Sequence, residues 1–365
     1  MRKKIAALSA AALLLGGCAR TTYGPDAPIS LQPARAVGRS WISPTVKDEA
    51  KAHGLLFVAN LSSNEVEIFP QRQGGSLIGT ITNGIDEPVG LGVDGSQNLY
   101  VANAGEYGDE GFVTEYAPPY SGAPITTYSQ GLQNSAATNV AIGADGSVYV
   151  SEYSAGIVVE YPPSSTIPSA QLTFDDYPGV LGPGESGKPE GLALDANNDL
   201  FVAINVGSAA EVIKFKPGSQ KGRVEASFGG SSGGVTFDNA DNLLAERQLM
   251  FQAHLHVKRH KIPPAIYVFP PGQKSPSRKI DPHLQDAFAM AFGGSGKRLY
   301  VSGSIITLGF PDVIGWGSGA VGPDALQAGG WVYCLSYPAG QLLYTISWPG
   351  NTWILGVAVT PPAPE

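Results

Sequence analysis

Three strand-like patterns recur in the same order along this chain, and their shared phase constrains the fold more than any other feature. The first is a small, apolar strand: GLGVD (90–94), NVAIG (139–143), GLALD (191–195), GVTFD (234–238), AMAFG (289–293) and GVAVT (356–360). After a short turn rich in Asp, Asn or Gly comes the second: LYVAN (99–103), VYVSE (148–152), LFVAI (200–204), LLAE (243–246) and LYVSG (299–303). The third runs an aromatic into or close to a proline: VEIFPQ (66–71), VTEYAPP (113–119), VVEYPP (158–163), VIKFKPG (212–218), IYVFPPG (266–272) and CLSYPAG (334–340). A more variable fourth stretch follows, such as LIGTITN (77–83) or QLLYTISW (341–348). Four strands per unit, recurring at roughly 50 residues with no amphipathic helix between them, is the pattern of a β-propeller blade.

The chemistry of the columns fits that reading. Gly and Ala let innermost strands crowd around an axis, and Val, Leu, Tyr and Phe suit burial between stacked blades. Proline has no N–H to continue a ladder, so it ends the third strand. The body opens on an unpaired second-column strand, LFVAN (56–60), and its missing partner is GVAVT at the far end. The expected fold is therefore all-β: a six-bladed β-propeller of four-stranded antiparallel blades, closed by the C-terminal strand completing the first blade. An open sandwich of two sheets is the alternative, but it leaves both the shared order and the displaced last strand unexplained.

The N-terminus reads as an address. Arg2, Lys3 and Lys4 precede a short apolar run, Ile5 to Leu15. At under about 20 residues this is too short to span a bilayer and matches an export signal. Leu15-Gly16-Gly17-Cys18 resembles the bacterial lipobox, which implies cleavage before Cys18 and acylation of that residue; an ordinary signal with a chance cysteine is the alternative. The expected layout is a signal peptide over 1–17, a lipidated Cys18 and tether over 18–52, and one propeller over 53–365. Several acyl chains would anchor the protein stably without a transmembrane segment. Ala19, in place of an Asp, favours the outer over the inner membrane by the same resemblance. Losing the three signal-peptide cations takes the formal net charge from −8 to −11, which opposes binding to nucleic acid or anionic lipid heads. Cys334, the only other cysteine, lies in the apolar WVYCLSY and reads as a packed thiol. The expected state is a monomer.

If first strands descend, their starts meet the ends of the second strands at one face, the top. Glu87, Asn139, Glu190 and Asp286 stand before or at first strands; Asn60, Asn103, Glu152, Asn205 and Glu246 stand at or just after second strands. This acid- and amide-rich mouth, represented by Glu87, Asn103, Asn139, Glu152, Glu190, Asn205 and Asp286, suits a hard cation such as Ca²⁺ or a polyhydroxylated ligand. Asn and Asp at strand ends also commonly bond their own turn backbone.

The columns resemble NHL-type propellers, whose blades carry a similar first strand, turn and YVAD-like second strand; the resemblance spans about 54 to 360 and implies the architecture. KPEGLALDANNDLFVA (188–203) resembles a segment of the senescence-marker-protein/gluconolactonase family in which an acid before Gly ligates a divalent metal. The resemblance gives that role to Glu190, where the family has Asp, and a second ligand role to Asn139. It implies metal-assisted lactone hydrolysis. No EGP-type or NDG motif accompanies it. Streptogramin lyases share the fold but use a catalytic His, and neither His53 nor His283 is suitably placed.

Two stretches interrupt the repeat. AERQLMFQAHLHVKRHKIPP (245–264) carries His254, His256 and His260 in an H-x-H-x3-H pattern and is basic in an acidic protein. It can be read as a metal site, as an exposed basic connection or as the trace of two compensating frameshifts. The Gly-rich 304–331 and the connection 177–189 project from the same face, where long loops on a rigid scaffold suit binding of a protein, glycan or small molecule. Trp316, Trp331 and Trp353 offer stacking faces, with core packing the readier role for Trp331. No nucleophile–base pair follows from residue order. The sequence thus points to a membrane-anchored, extracytoplasmic ligand-binding or protein-interaction scaffold, with the lactone-type metal-dependent hydrolase as the alternative.

Overall fold

Ile354–Val359, the last strand, pairs antiparallel with Leu55–Asn60, the first long one, in the register Leu56↔Val359 to Asn60↔Ile354. The computed structural model in which this closure is seen describes residues 40–105, 111–132, 135–174, 187–206, 209–248, 250–252, 260–262, 264–280, 287–305, 329–349 and 352–361. Cys18 and the whole of 1–39 lie outside them.

The fold is all-β, a six-bladed propeller of four-stranded antiparallel blades. Counting from the axis outwards, blade one is Ile354–Val359, Leu55–Asn60, Glu65–Pro70 and Gly79–Ile81. Blade two is Pro88–Val93, Leu99–Asn103, Phe112–Tyr116 and Thr126–Tyr128. Blade three is Ala137–Ile142, Val148–Glu152, Ile157–Tyr161 and Ala170–Thr173, and blade four is Lys188–Leu194, Leu200–Val206, Ala209–Phe215 and Arg223–Gly229. Blade five is Ser232–Phe237, Leu243–Arg247, Ala265–Phe269 and Arg278–Ile280; blade six is Ala289–Phe292, Arg298–Ile305, Gly329–Ser336 and Leu342–Pro349. Met250–Gln252 and His260–Ile262 form a separate hairpin within the foreign stretch of blade five. Its His254 and His256 lie outside the described residues, as does the His260 side chain.

Successive innermost strands pack against one another all the way round. Gly residues make this possible: a Cβ at Gly90 would sit 2.6 Å from Asn139 Cα and from the Thr138 carbonyl, and one at Gly356 would run into the Val89 carbonyl. Period-two alternation then sends neighbouring side chains of each second strand into opposite interfaces. Leu99 and Val101 pack with blade one, for example, while Tyr100 and Ala102 pack with blade three. The core is therefore six apolar clusters, one for each blade-to-blade interface. The aromatics of the third column fill them. Phe69, Tyr116, Tyr161, Phe215 and Phe269 are all buried, and Tyr337 packs partly buried at the interface of blades five and six. Tyr116 and Tyr161 donate their hydroxyls to the carbonyls of Asn83 and Gln130, both at 2.6 Å, so their polar tips are satisfied. Cys334 is fully buried between blades six and one, and burial pushes its thiol up.

The residues before the propeller are also held. Trp41–Ile42 adds a fifth strand to the outer edge of blade one, and the helix Val46–His53 ends at Gly54. Arg72 grips Glu49 of that helix through Nε at 3.2 Å and an Nη at 2.9 Å. From Ser40 onwards, the final part of the stretch expected as tether is thus joined to the body. Among the described residues no helix is long and apolar enough to cross a membrane.

Candidate functional site

The starts of all six innermost strands converge on one axial cavity of about 120 Å³. Val89 and Gly90, Thr138 and Asn139, Glu190, Gly233, Ala289 and Leu355 reach it from blades two to six and one in turn. The second strands of blades one, two, three and five contribute the residue just past their ends: Leu61, Ala104, Tyr153 and Gln248. The mouth inferred from topology is where the cavity lies, opposite the aromatic–proline ends.

Three of the expected mouth residues, Glu87, Asn139 and Glu190, line the cavity together. Glu87 adopts a left-handed backbone (φ 54°), uncommon for a residue with a Cβ. It is fixed from both sides: its N–H donates to Asn64 Oδ1 at 2.6 Å, and its carbonyl accepts from Ala104 N–H at 2.9 Å. Glu190 is held by two amides. Asn205 Nδ2 donates to Oε1 at 2.7 Å, and Gln248 Nε2 donates to Oε2 at 3.2 Å. Asn205 is itself oriented, because its Oδ1 accepts from Ser232 N–H at 2.7 Å. It therefore braces the carboxylate from behind without lining the cavity.

The other candidates serve elsewhere. Asn103 is fully buried; its Oδ1 accepts from Asp86 N–H at 2.9 Å and its Nδ2 donates to the Val101 carbonyl at 3.0 Å. Asn60 donates to Glu67 Oε1 at 2.7 Å, and Trp348 Nε1 reaches both oxygens of the same carboxylate at 3.0 Å. Glu246 is buried and accepts from Gly234 N–H at 3.3 Å. Glu152 is 1% exposed, its Oε1 has no hydrogen-bond partner among the described residues, and burial pushes its carboxyl up to about 7. Asp286 and Trp316 lie outside the described residues; Trp331 packs beside the cluster between blades five and six.

A bulge recurs at the starts of the innermost strands. In blades one to five the register between innermost and second strands shifts near the top: Val58/Asn60, Pro88/Gly90, Ser151/Glu152, Pro189/Leu192 and Ser232/Val235. A bulge re-aims the side chains around it. The extra residue lies on the innermost strand, so the second strands keep their alternation: Asn60, Asn103 and Glu152 follow Val58, Val101 and Val150 between blades, and the next residue turns towards the axis. Gln248 was missed because the strand read as LLAE (243–246) runs on to Arg247, so the residue just past its end is Gln248.

The metal donors expected here, Asn139 and Glu190, already have partners. Asn139 Oδ1 accepts from Val140 N–H at 2.8 Å, and both Glu190 oxygens already take amide hydrogens. Among the described residues, no three His, Cys, Asp or Glu side chains cluster closely enough to hold one. A Ca²⁺-sized ion wants about six to eight oxygens.

No protein-family model and no curated protein matches the sequence. Solved structures do match in shape. A protein of unknown function from Bacteroides caccae superposes with a TM-score of 0.55 at 10% identity, covering 84% of this chain and 99% of that one. The hydrazine synthase of Kuenenia stuttgartiensis gives a TM-score of 0.51 at 15% identity, covering 76% of each chain. At such identities the likeness is one of fold alone.

Proposed function

We propose that this chain is a lipid-anchored, extracytoplasmic binding module of NHL-like blades, whose ligand enters the axial cavity. One observation carries the reading: six blades bring their innermost strands to a single cavity, and its carboxylate Glu190 is oriented beforehand by two amides from two blades. Preorganised polar groups on rigid strands, beside an apolar wall, are what small-ligand sites share. The volume is close to the ~150 Å³ of an engineered cavity that takes benzene. The site thus encloses one ring-sized group, or one end of a longer glycan or peptide. Anchoring rests on the lipobox-like Leu15–Cys18, and the outer membrane is the favoured address.

Calorimetry of the detergent-solubilised chain against a panel of small sugars, amines and short peptides tests the site. Binding that Glu190→Gln weakens about tenfold, about 1.4 kcal/mol, is expected; binding that ignores this change places the site elsewhere. Cys18→Ser should move the chain from the membrane to the soluble fraction. A second reading, the lactone hydrolase, is favoured by Glu190 and Asn139 sharing the cavity. Turnover across a lactone panel, with stoichiometric metal by elemental analysis, would establish it in place of the first.

A further inference from the structure

Two amides that line the axial cavity are each fixed at one end and unused at the other. Asn139 is half-buried, and its Oδ1 accepts from Val140 N–H. Its Nδ2 has no hydrogen-bond partner among the described residues. The flipped amide would set two donors against each other. Gln248 is 3% exposed, and its Nε2 donates to Glu190 Oε2. The flipped amide would here set an oxygen against a carboxylate oxygen, so Gln248 Oε1 is turned away from Glu190. It has no partner among the described residues. The cavity thus holds one donor and one acceptor that the fold orients and does not use. A buried acceptor in that state is rare in folded chains, and an arriving N–H would complete it.

The two amides lean on opposite sides of the axis. A Cβ at Gly90 of blade two would lie 3.3 Å from Asn139 Cγ, and one at Gly233 of blade five would lie 3.1 Å from Gln248 Nε2. Blades two and five face each other across the ring of six. A lone hydroxyl would have to reach both amides from one atom. A secondary amide is planar and trans, so its C=O and N–H point to opposite edges. It can offer Asn139 an acceptor and Gln248 a donor at once. Glu190 lies on blade four, with both oxygens engaged by amides, and acts here by holding Gln248 in place. Leu61 and Leu355 of blade one, Val89 of blade two and Phe288 at the start of blade six form an apolar wall for the carbon ends of such a group. Deepening the axial-site reading and resting on it, we infer that the cavity recognises a neutral secondary amide, an acetamido group on a ring or short chain. Its carbonyl accepts from Asn139 Nδ2, and its N–H donates to Gln248 Oε1.

Calorimetry on the detergent-solubilised full chain at pH 7 tests this with N-cyclohexylacetamide against cyclohexyl acetate, an ester that keeps the carbonyl and lacks the N–H. The amide should bind at least about tenfold more tightly. Gln248→Met should abolish that preference, weakening the amide about tenfold and leaving the ester unmoved. Asn139→Asp keeps Oδ1 for Val140 N–H but loses the donor, and should weaken both ligands about tenfold. An unchanged far-ultraviolet spectrum shows that each variant folds, and the amide-to-ester ratio of the parent chain needs neither. The tighter of N-acetylglucosamine and N-acetylalanine methylamide shows whether a sugar or a peptide carries the group. An ester that binds as well as the amide, a preference that survives Gln248→Met, or binding indifferent to Asn139→Asp overturns the inference. If Glu190→Gln still weakens that binding, the axial site itself stands. If no probe binds, or binding ignores all three substitutions, the inference and the axial-site reading fall together.

Discussion

Glu152 and Glu190 stand at the same end of adjacent blades, yet their carboxyls live in different chemistry. Glu190, at the start of an innermost strand, is half-buried, faces the axis and accepts from Asn205 and Gln248. Glu152, at the end of a second strand, lies in the face that packs on blade two, shared with Val148, Val150 and Tyr161. Its Oε1 finds no donor among the described residues, and burial raises its carboxyl to about 7. One strand presents its acid to the axial cavity; the other hides one between blades. The difference is set by which strand carries the residue and which way its side chain alternates, together with whether an amide stands within reach. A buried carboxylate without donors holds its proton to higher pH.

The largest test of that contrast is the pH dependence of stability. Unfolded, Glu152 should lose its proton near 4.5; folded, near 7. Between those values the folded chain holds a proton that the unfolded chain has released, so stability falls as pH rises through the window. The loss is complete above the folded value and amounts to about 3 kcal/mol. Glu152→Gln removes that proton exchange. The variant should match the parent near pH 4 and exceed it at pH 8 by a similar margin, read as a higher urea midpoint. Equal slopes against pH in parent and variant would show that Glu152 is not held protonated.

Converting one environment into the other is the next test. Asn205→Asp keeps an oxygen for Ser232 N–H but replaces the donor to Glu190 with a second carboxylate. Two acids at hydrogen-bond distance cannot both ionise cheaply, so the pair should retain a proton to higher pH. We expect a loss of about 2 kcal/mol at pH 8, largely recovered at pH 5. That profile would make blade four resemble blade three; a flat profile would mean that Glu190 relaxes away from its neighbour.

The architecture was legible because it is written in repeats. Six small-apolar strands counted the blades, the stray LFVAN beside a terminal GVAVT gave the closure, and aromatic–proline pairs marked the far end of each third strand. Residue order also placed Glu87, Asn139 and Glu190 at the axis, since the start of an innermost strand has nowhere else to go. Second-strand ends were not legible in the same way. Asn103 and Glu152 stand one step before the position that Asn205 and Gln248 occupy, and strand alternation turns them between blades while Asn205 and Gln248 reach Glu190. Trp348, whose indole satisfies Glu67 across blades six and one, carried no sequence signal, because its partner is 281 residues away.

The smallest effect expected on stability is that of Glu190→Gln, and its smallness is what gives the comparison its meaning. The side chain is half-buried, and an amide can still accept at one end from Asn205 or Gln248. The cost should be about 1 kcal/mol or less. No gain at pH 8 like that of Glu152→Gln should accompany it, because both of its oxygens already have amide donors. Urea unfolding at pH 5 and pH 8 measures both quantities. A loss of several kcal/mol would make Glu190 a keystone of the blade four–five interface instead of a group set aside for a ligand. A small and pH-independent change, beside the steep profile of Glu152, would separate the acid that the fold tolerates from the acid that the cavity displays.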